Sequence, residues 1–193
     1  MLLKGNVTSR SRQPDLNARS PRSLGETTMS VFDYIKQSLE ASKGWASGLI
    51  QDMADAPLTQ PTPNGGNHPL WVLGHLVVAE SILFDQFVGG RPNRFPELES
   101  LFSIGSTPTT DGSQYPSMDE LFAKWEQIRA DVVAHLDSLS EEDLKGSTHA
   151  PEDFGEMFGT VGGCYIAMTT HVSFHSGQVS DARRAAGRDP LMA

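Results

Sequence analysis

Residues 69–88, PLWVLGHLVVAESILFDQFV, decide the fold class because they are apolar around most of the circumference of a helix. Pro69 suits a first helical position, so the helix is predicted to begin there and to end near Val88. A helix of this composition has to be surrounded by others, as in the centre of a bundle. His75 lies within it, and a single His in such a helix is more often a hydrogen-bonded core residue than a ligand.

Three further stretches have helical periodicity, whereas no stretch of useful length alternates with the period of a strand. Ser30 and Asp33, and then Ser117 and Glu120, resemble capping boxes at the starts of two of these helices. The predicted fold is all-α: a four-helix bundle whose residues 89–116 form a long crossover with a short helical turn near 98–102. The three further helices are predicted at about 30–54, 117–139 and 160–187.

Composition limits the class of protein. The chain has 193 residues, a net charge of -9 and one Cys, and 38% of its residues are hydrophobic. This length supports one core, the acidic charge argues against nucleic acid as a partner, and one Cys excludes a disulfide framework. No apolar run reaches the roughly 18 uncharged residues of a membrane span. We therefore expect a cytoplasmic protein with no membrane partner.

Residues 1–28 differ from the remainder in composition. They contain five basic and two acidic residues, are rich in Ser, Arg, Asn and Pro, and have few large apolar side chains. Such a segment cannot offset the entropy of ordering. It is predicted to be a disordered extension before a single bundle domain, residues 29–193, with Met29 the expected natural start. An organelle-targeting peptide is the alternative, which Asp15 weakens.

Two histidines in the last helix suggest a metal site. His171 and His175 are four residues apart, so their rings project from one face about 6 Å apart and can share an ion. His75 on the apolar helix can face this pair. Three neutral imidazoles suit Zn, Ni, Fe(II) or Cu, and open positions are typical of a catalytic site. Gln178, one turn beyond His175, is predicted to orient that ligand or to contact substrate.

These residues resemble a known family over about residues 30–193. The phrases WVLGHL, HVSFHSGQ and ARRAAGRDPLM are similar to those of the DinB-like superfamily of four-helix metalloproteins. The resemblance implies that His75, His171 and His175 bind a divalent metal in an up-down-down-up bundle, often a homodimer. Members include transferases and an isomerase that use bacillithiol, mycothiol or glutathione, and many have no known activity.

The first functional hypothesis is therefore a metal-dependent S-transferase, in which a low-molecular-weight thiol attacks a small electrophilic substrate. The alternatives are a metal-dependent hydrolase, a non-catalytic metal-binding stress-response protein, and a bundle whose histidines are merely packed. Position 172 is Val, so the zincin motif with its Glu base is absent. Glu80 and Asp85 are predicted to lie on other faces or turns than His75, and no general base is assigned.

The other chemically notable residues have simpler interpretations. Cys164 is predicted to be a buried core thiol, too far along the helix axis to be a ligand beside His175. His135 is predicted to be partly exposed near a helix C-terminus, and His149 to be solvated in a loop. Gly44 and Gly48 would allow a close helix approach. The predicted core aromatics are Trp45, Trp71 and Trp125, of which Trp71 could also form a wall of the site.

Overall fold

The computed structural model describes residues 28–191, and in that range the chain forms helices and no β-strand. The predicted all-α class is confirmed. The predicted extension, residues 1–28, lies outside the described residues except for residue 28. The α-helices are α1 (Val31–Gln51), α2 (Pro69–Ser81), α3 (Glu99–Phe102), α4 (Met118–Asp137), α5 (Gly155–Phe158) and α6 (Val161–Ala185). Single 3-10 turns lie at Pro96–Leu98, Gly112–Gln114, Asp143–Lys145 and Glu152–Phe154.

Both predicted capping boxes are present at helix starts. The Ser30 side chain accepts from the backbone N–H of Asp33, whose carboxylate accepts from the backbone N–H of Ser30 at 2.8 Å. Ser117 and Glu120 make the same reciprocal pair at the start of α4. Each box satisfies backbone donors that a helix start otherwise leaves unpaired, so α1 and α4 begin within one residue of their predicted starts.

The second helix differs from its prediction in its last two turns. α2 ends at Ser81, and Ile82–Val88 continue the helix with the wider turns of a π-helix. The Ser81 hydroxyl donates to the Asp85 carboxylate at 2.9 Å, and Arg94 donates to the same carboxylate at 2.7 Å. The sequence could not separate the two helix types, because a helix that is apolar on every face has no stripe to mark a change of pitch.

A crossover spans the bundle between α2 and α4. Glu80 near the end of α2 binds Arg129, and Phe84 in the π-helix contacts His135 one to two turns later in α4. Since later residues of one helix meet later residues of the other, the two helices run in the same direction. The chain from 89 to 117 has to return along the bundle between them, and its middle part, which contains α3, packs on α2.

α6 closes the bundle by packing along α1. Arg183 in the last turns of α6 donates to Asp52, just beyond the end of α1, at 2.7 Å, so these helices run in the same direction. Asp137 at the end of α4 pairs with Lys36 near the start of α1, which makes those two helices antiparallel. α6 also packs against α2, so it lies beside both α1 and α2.

Two of the three tryptophans predicted to lie in the core are buried. Trp71 and Trp125 are buried as predicted, but Trp45 is 56% exposed, so its assignment to the core was wrong. The neighbouring Ala46 occupies the inward position, and a residue one place earlier points about 100° away around the helix. Fully buried side chains come from all four long helices: Leu39, Ile50, Leu73, Leu76, Leu121, Trp125, Tyr165 and Met168 among them.

Three glycines in α1 and α2 differ in the space around them, so replacing them by Ala should change stability in opposite directions. Gly44 and Gly48 are exposed, and a Cβ at either would have no neighbour within 4 Å, so the predicted close helix approach is absent there. A Cβ at Gly74 would overlap the ring of Phe102, which is fully buried. A close approach of this kind occurs at Gly74, one residue before His75, where the crossover lies against α2.

We expect Gly74→Ala to lower the free energy of unfolding by about 1 to 3 kcal/mol, because the added methyl group displaces a packed aromatic ring. Gly48→Ala is the matched control, expected to raise it by about 0.4 to 1 kcal/mol through helix propensity. Guanidinium unfolding of both variants checks the pair. Equal effects of the two substitutions would contradict the close packing of Phe102 on Gly74.

By length and composition, the stretch Pro69–Val88 would suffice to cross a membrane, with a mean hydropathy of 1.4 in its best window. It is the one such helix in residues 28–191, and 72% of that window is buried inside the bundle. It also contains Glu80 and Asp85, both buried and both engaged in hydrogen bonds. These are the properties of a central core helix, which agrees with the sequence prediction.

Candidate metal centre

Three imidazoles from two helices meet in the interior of the bundle. His75 lies in the middle of α2, while His171 and His175 lie one turn apart on the face of α6 that packs against it. The Nε2 atom of His171 is 3.2 Å from that of His75 and 3.0 Å from that of His175. His75 and His175 are buried and His171 is half-buried. The structure thus brings together the three residues predicted as ligands.

The orientation of His75 is fixed by the crossover. Its Nδ1 is 2.7 Å from the backbone oxygen of Phe102, which can only accept, so the imidazole carries its proton on Nδ1. The lone pair then lies on Nε2, directed toward His171. A hydrogen bond from the far ring nitrogen to a backbone carbonyl is the usual support of a metal-binding His.

Gln178 plays the same part for His175. The Nδ1 atom of His175 is 2.8 Å from the side-chain oxygen of Gln178, which accepts its proton, so the lone pair of this ring also lies on Nε2. The amide of Asn67 donates to the same Gln178 oxygen at 3.3 Å and orients it. Gln178 therefore lies where a residue that orients a ligand is expected. The role of Asn67 had no sequence signal, since it lies in the loop before α2.

The donor set fits a cation. Two Nε2 lone pairs, from His75 and His175, face the Nε2 of His171, which can supply at most one proton. Without a positive ion, at least one lone pair among these closely spaced nitrogens has no partner from the three rings. Nitrogens that bind one ion at about 2.1 Å lie at most about 4.2 Å apart, which both measured separations satisfy. Three neutral imidazoles suit Zn, Ni or Fe(II).

Burial keeps these rings uncharged. Burial is the main cause that lowers the pKa of His171 to about 3, and His175 and His75 add to this lowering. Burial also lowers the pKa of His175 to about 4, although its hydrogen bond to Gln178 opposes the change. Burial likewise lowers the pKa of His75, although its hydrogen bond to Phe102 opposes the change. All three imidazoles are neutral at pH 7, so protons do not compete for the nitrogen lone pairs.

Comparison with known families identifies the chain. A sequence model of the DinB superfamily matches residues 39–179, well over half of the chain and a range that contains all three histidines and Gln178. The chain belongs to the DinB superfamily. A search of curated proteins found no match. The resemblance noted in the sequence is thereby confirmed, and the metal-binding character of this superfamily agrees with the cluster of three histidines.

An aromatic ring packs against the cluster of three histidines in this DinB-superfamily chain. The ring of Trp71 stacks on His75 at 4.7 Å with an angle of 10°, as the sequence suggested. Its indole N–H donates to the oxygen of Leu101 at 3.0 Å. His68, which caps α2, accepts from the backbone N–H of Trp71 and is in hydrogen-bond contact with the oxygen of Thr109. Sequence patterns do not reveal such contacts, because they join α2 to an irregular segment.

Carboxylates are absent from the immediate surroundings of the three rings within residues 28–191. Glu80 is buried against Arg129 and Trp125, and Asp85 is held by Arg94, as described for the π-helix. Neither carboxylate contacts His75. The site therefore contains a nitrogen donor set without an attached general base.

The remaining histidines and the Cys lie outside the centre. The ring of His135 is half-buried and donates to the Tyr165 hydroxyl at 2.8 Å, since that hydroxyl donates its own proton to Val132. His149 is exposed, as predicted. Cys164 is fully buried, and burial raises the pKa of its thiol to about 11, so it stays protonated as a core residue.

A cavity opens beside the three histidines. It has a volume of about 620 Å³ and lies between α2, the π-helix, α5 and α6, with His75 and His171 in its wall. Small-molecule sites commonly have volumes of about 300 to 1,000 Å³. A purely structural metal site is closed by its ligands, whereas this one borders a space large enough for a substrate.

Proposed function

We propose that this protein is a divalent-metal-dependent enzyme that transfers a low-molecular-weight thiol to a small electrophilic substrate. His75, His171 and His175 hold the metal, and Gln178 and the Phe102 carbonyl orient two of these ligands. The observation that carries the proposal is the position of the three imidazoles at the wall of the 620 Å³ cavity. A bound divalent cation would lower the pKa of a coordinated thiol or water.

The choice of a thiol as nucleophile rests on the surroundings of the site. Attack by water on an ester or amide is usually assisted by a base that removes a proton, as the Glu of the zincin motif does. A thiol has an ordinary pKa of about 8.5, so it loses its proton to solvent far more readily than water does, with an ordinary pKa of about 15.7. The thiolate sulfur then forms a bond to the electrophilic carbon while that carbon releases its leaving group. Since the described residues place no carboxylate beside the rings, the site favours the nucleophile that ionises more readily without a base.

The chain's own residues have three tasks in this reaction. The hydrogen bonds of His75 and His175 keep two lone pairs directed to one point, which prepares the centre before substrate arrives. The stacked Trp71 restricts rotation of His75. The apolar cavity excludes water from the nucleophile, which limits competing hydrolysis of the electrophile.

A thiol titration tests the choice of nucleophile. Protein loaded with cobalt is titrated with glutathione, bacillithiol and mycothiol, and absorption from sulfur-to-metal charge transfer is followed. We expect one thiol to give a saturable band with the wild type and the His149→Ala variant, and to be consumed when an apolar alkylating substrate is added. His149 is a suitable control because it is exposed and outside the cavity.

Other outcomes would identify the alternatives. Cleavage of neutral nitrophenyl esters by the metal-loaded protein, with no band from any thiol, would make it a hydrolase. Metal binding with neither response would favour a non-catalytic metal-binding protein. Either result would contradict the transferase proposal.

A further inference from the structure

The lining of the cavity has a uniform chemistry. Within residues 28–191, the wall contains no Lys, Arg, Asp or Glu, and its polar side chains are His75, His171, Ser103 and Thr170. In the metal-free protein, an ion moved into such a space loses its hydration without gaining a partner, which is strongly unfavourable. An apolar group has no hydration of this kind to lose, so its burial in the cavity is favourable. The cavity therefore discriminates against charge.

The charged groups nearest in the chain are committed elsewhere. Asp85 belongs to the π-helix that borders the cavity, yet its carboxylate is buried against Arg94 and Arg91 and does not reach the cavity wall. Its neighbours Ile82 and Phe87 line the cavity instead. The π-helix thus presents Ile82, Leu83 and Phe87 to the cavity and its one carboxylate to the arginines of the crossover.

The mouth of the cavity is also apolar. Four of its lining residues are largely exposed: Ile104 is 89% exposed, Met157 65%, Phe174 67% and Phe154 48%. They come from three separate segments, namely the crossover, the region of α5, and α6. Single apolar side chains scattered over a surface are normal, whereas a cluster of large exposed ones around a cavity is typical of a binding site.

We propose that the electrophilic substrate is an uncharged, predominantly apolar molecule whose hydrophobic part fills this cavity and extends over its apolar mouth. As a statement about substrate, this inference rests on the proposed function; as a statement about binding, it rests on the cavity alone. The reactive group of the ligand then lies beside His75 and His171, which are part of the cavity wall.

Probe binding to the metal-free full-length protein tests the inference. The neutral fluorophore N-phenyl-1-naphthylamine is titrated beside its anionic analogue 1-anilinonaphthalene-8-sulfonate. We expect saturable binding of the neutral probe and at least about tenfold weaker binding of the anion, because the sulfonate would lose hydration without gaining a partner. Ala167→Phe, which fills the cavity from α6, is expected to weaken the neutral probe at least about tenfold.

Two exposed positions give a matched pair of variants that should fold. Ile104→Glu places a charge at the mouth and is expected to weaken the neutral probe severalfold. Ile166→Glu is the control, since Ile166 is 64% exposed on α6 but lies outside the cavity, and it should leave binding unchanged. Because no metal is present, these results stand whether or not the histidines bind one.

Three results would overturn the inference: equal affinity for both probes, equal effects of Ile104→Glu and Ile166→Glu, or the absence of saturable binding. A fourth would be release of the probe as the protein concentration rises, together with dimer formation. Analytical ultracentrifugation would detect these dimers in the wild type but not in Ile104→Glu. That result would assign the apolar mouth to an interface between two copies of the chain.

Discussion

Substitution of His171 by Ala is expected to abolish stoichiometric metal binding. His171 is the central donor of the three, since its Nε2 lies within 3.2 Å of both other Nε2 atoms. Loss of an orienting group beside a ligand typically weakens metal binding about 10- to 100-fold, and loss of a ligand itself should exceed this range. Elemental analysis after dialysis against zinc should give about one ion per wild-type chain and almost none for the variant.

The matched control is His149→Ala, which removes an exposed imidazole of the same chemistry. It should retain the wild-type metal content. Thermal unfolding gives a second measurement, because a ligand present at about 100 times its Kd adds about 2.7 kcal/mol to the free energy of unfolding. Zinc should raise the Tm of the wild type and of His149→Ala but not that of His171→Ala. Equal metal content in the two variants would refute the site.

The second large effect is expected from Arg129→Met. Arg129 and Glu80 form a buried ion pair at 2.6 Å, in which both side chains are less than 10% exposed. The same Glu80 oxygen accepts from the indole N–H of Trp125 at 2.7 Å, and Arg129 also donates to the Leu39 carbonyl at 3.1 Å. Removing the arginine leaves a buried carboxylate without its counter-charge, which should lower the free energy of unfolding by about 3 to 5 kcal/mol.

A double variant separates the loss of the pair from the loss of packing. Glu80→Gln combined with Arg129→Met removes both charges and should recover most of the stability, because no uncompensated ion remains. The exposed pair of Lys145 and Glu142 serves as a comparison, and Lys145→Met should change stability by less than about 0.5 kcal/mol. Chemical unfolding measures all three. A loss below about 1 kcal/mol for Arg129→Met would show that solvent reaches Glu80.

The fold class and the three histidines were predictable from local patterns. An apolar helix surrounded by amphipathic ones specifies a bundle, and the i, i+4 spacing of His171 and His175 places both rings on one face whatever their surroundings. The assignment of His75 needed the additional fact that its helix is buried. Geometry confirms that the three rings meet, while the bound metal and the homodimer remain predictions.

The parts that the sequence could not predict depend on contacts with irregular segments. Asn67 and the carbonyl oxygen of Phe102 orient the centre, and neither belongs to a periodic pattern. Every residue has a backbone oxygen, so a sequence motif cannot indicate which of these oxygens accepts a hydrogen bond from His75. Trp45 was misplaced for a related reason: a single aromatic residue next to a helix stripe can lie on either side of the boundary, and only packing decides.

The sequence distances within the site affect the order in which it can form during folding. His75 and His171 are 96 positions apart, and the carbonyl that orients His75 belongs to a third segment between them. Contacts over such distances form after local helices, because closure of a long loop costs entropy before any contact offsets it. The isolated pair on α6 is available early, but the complete set of donors exists only in the native tertiary structure. Tight uptake of an ion would therefore report completed folding.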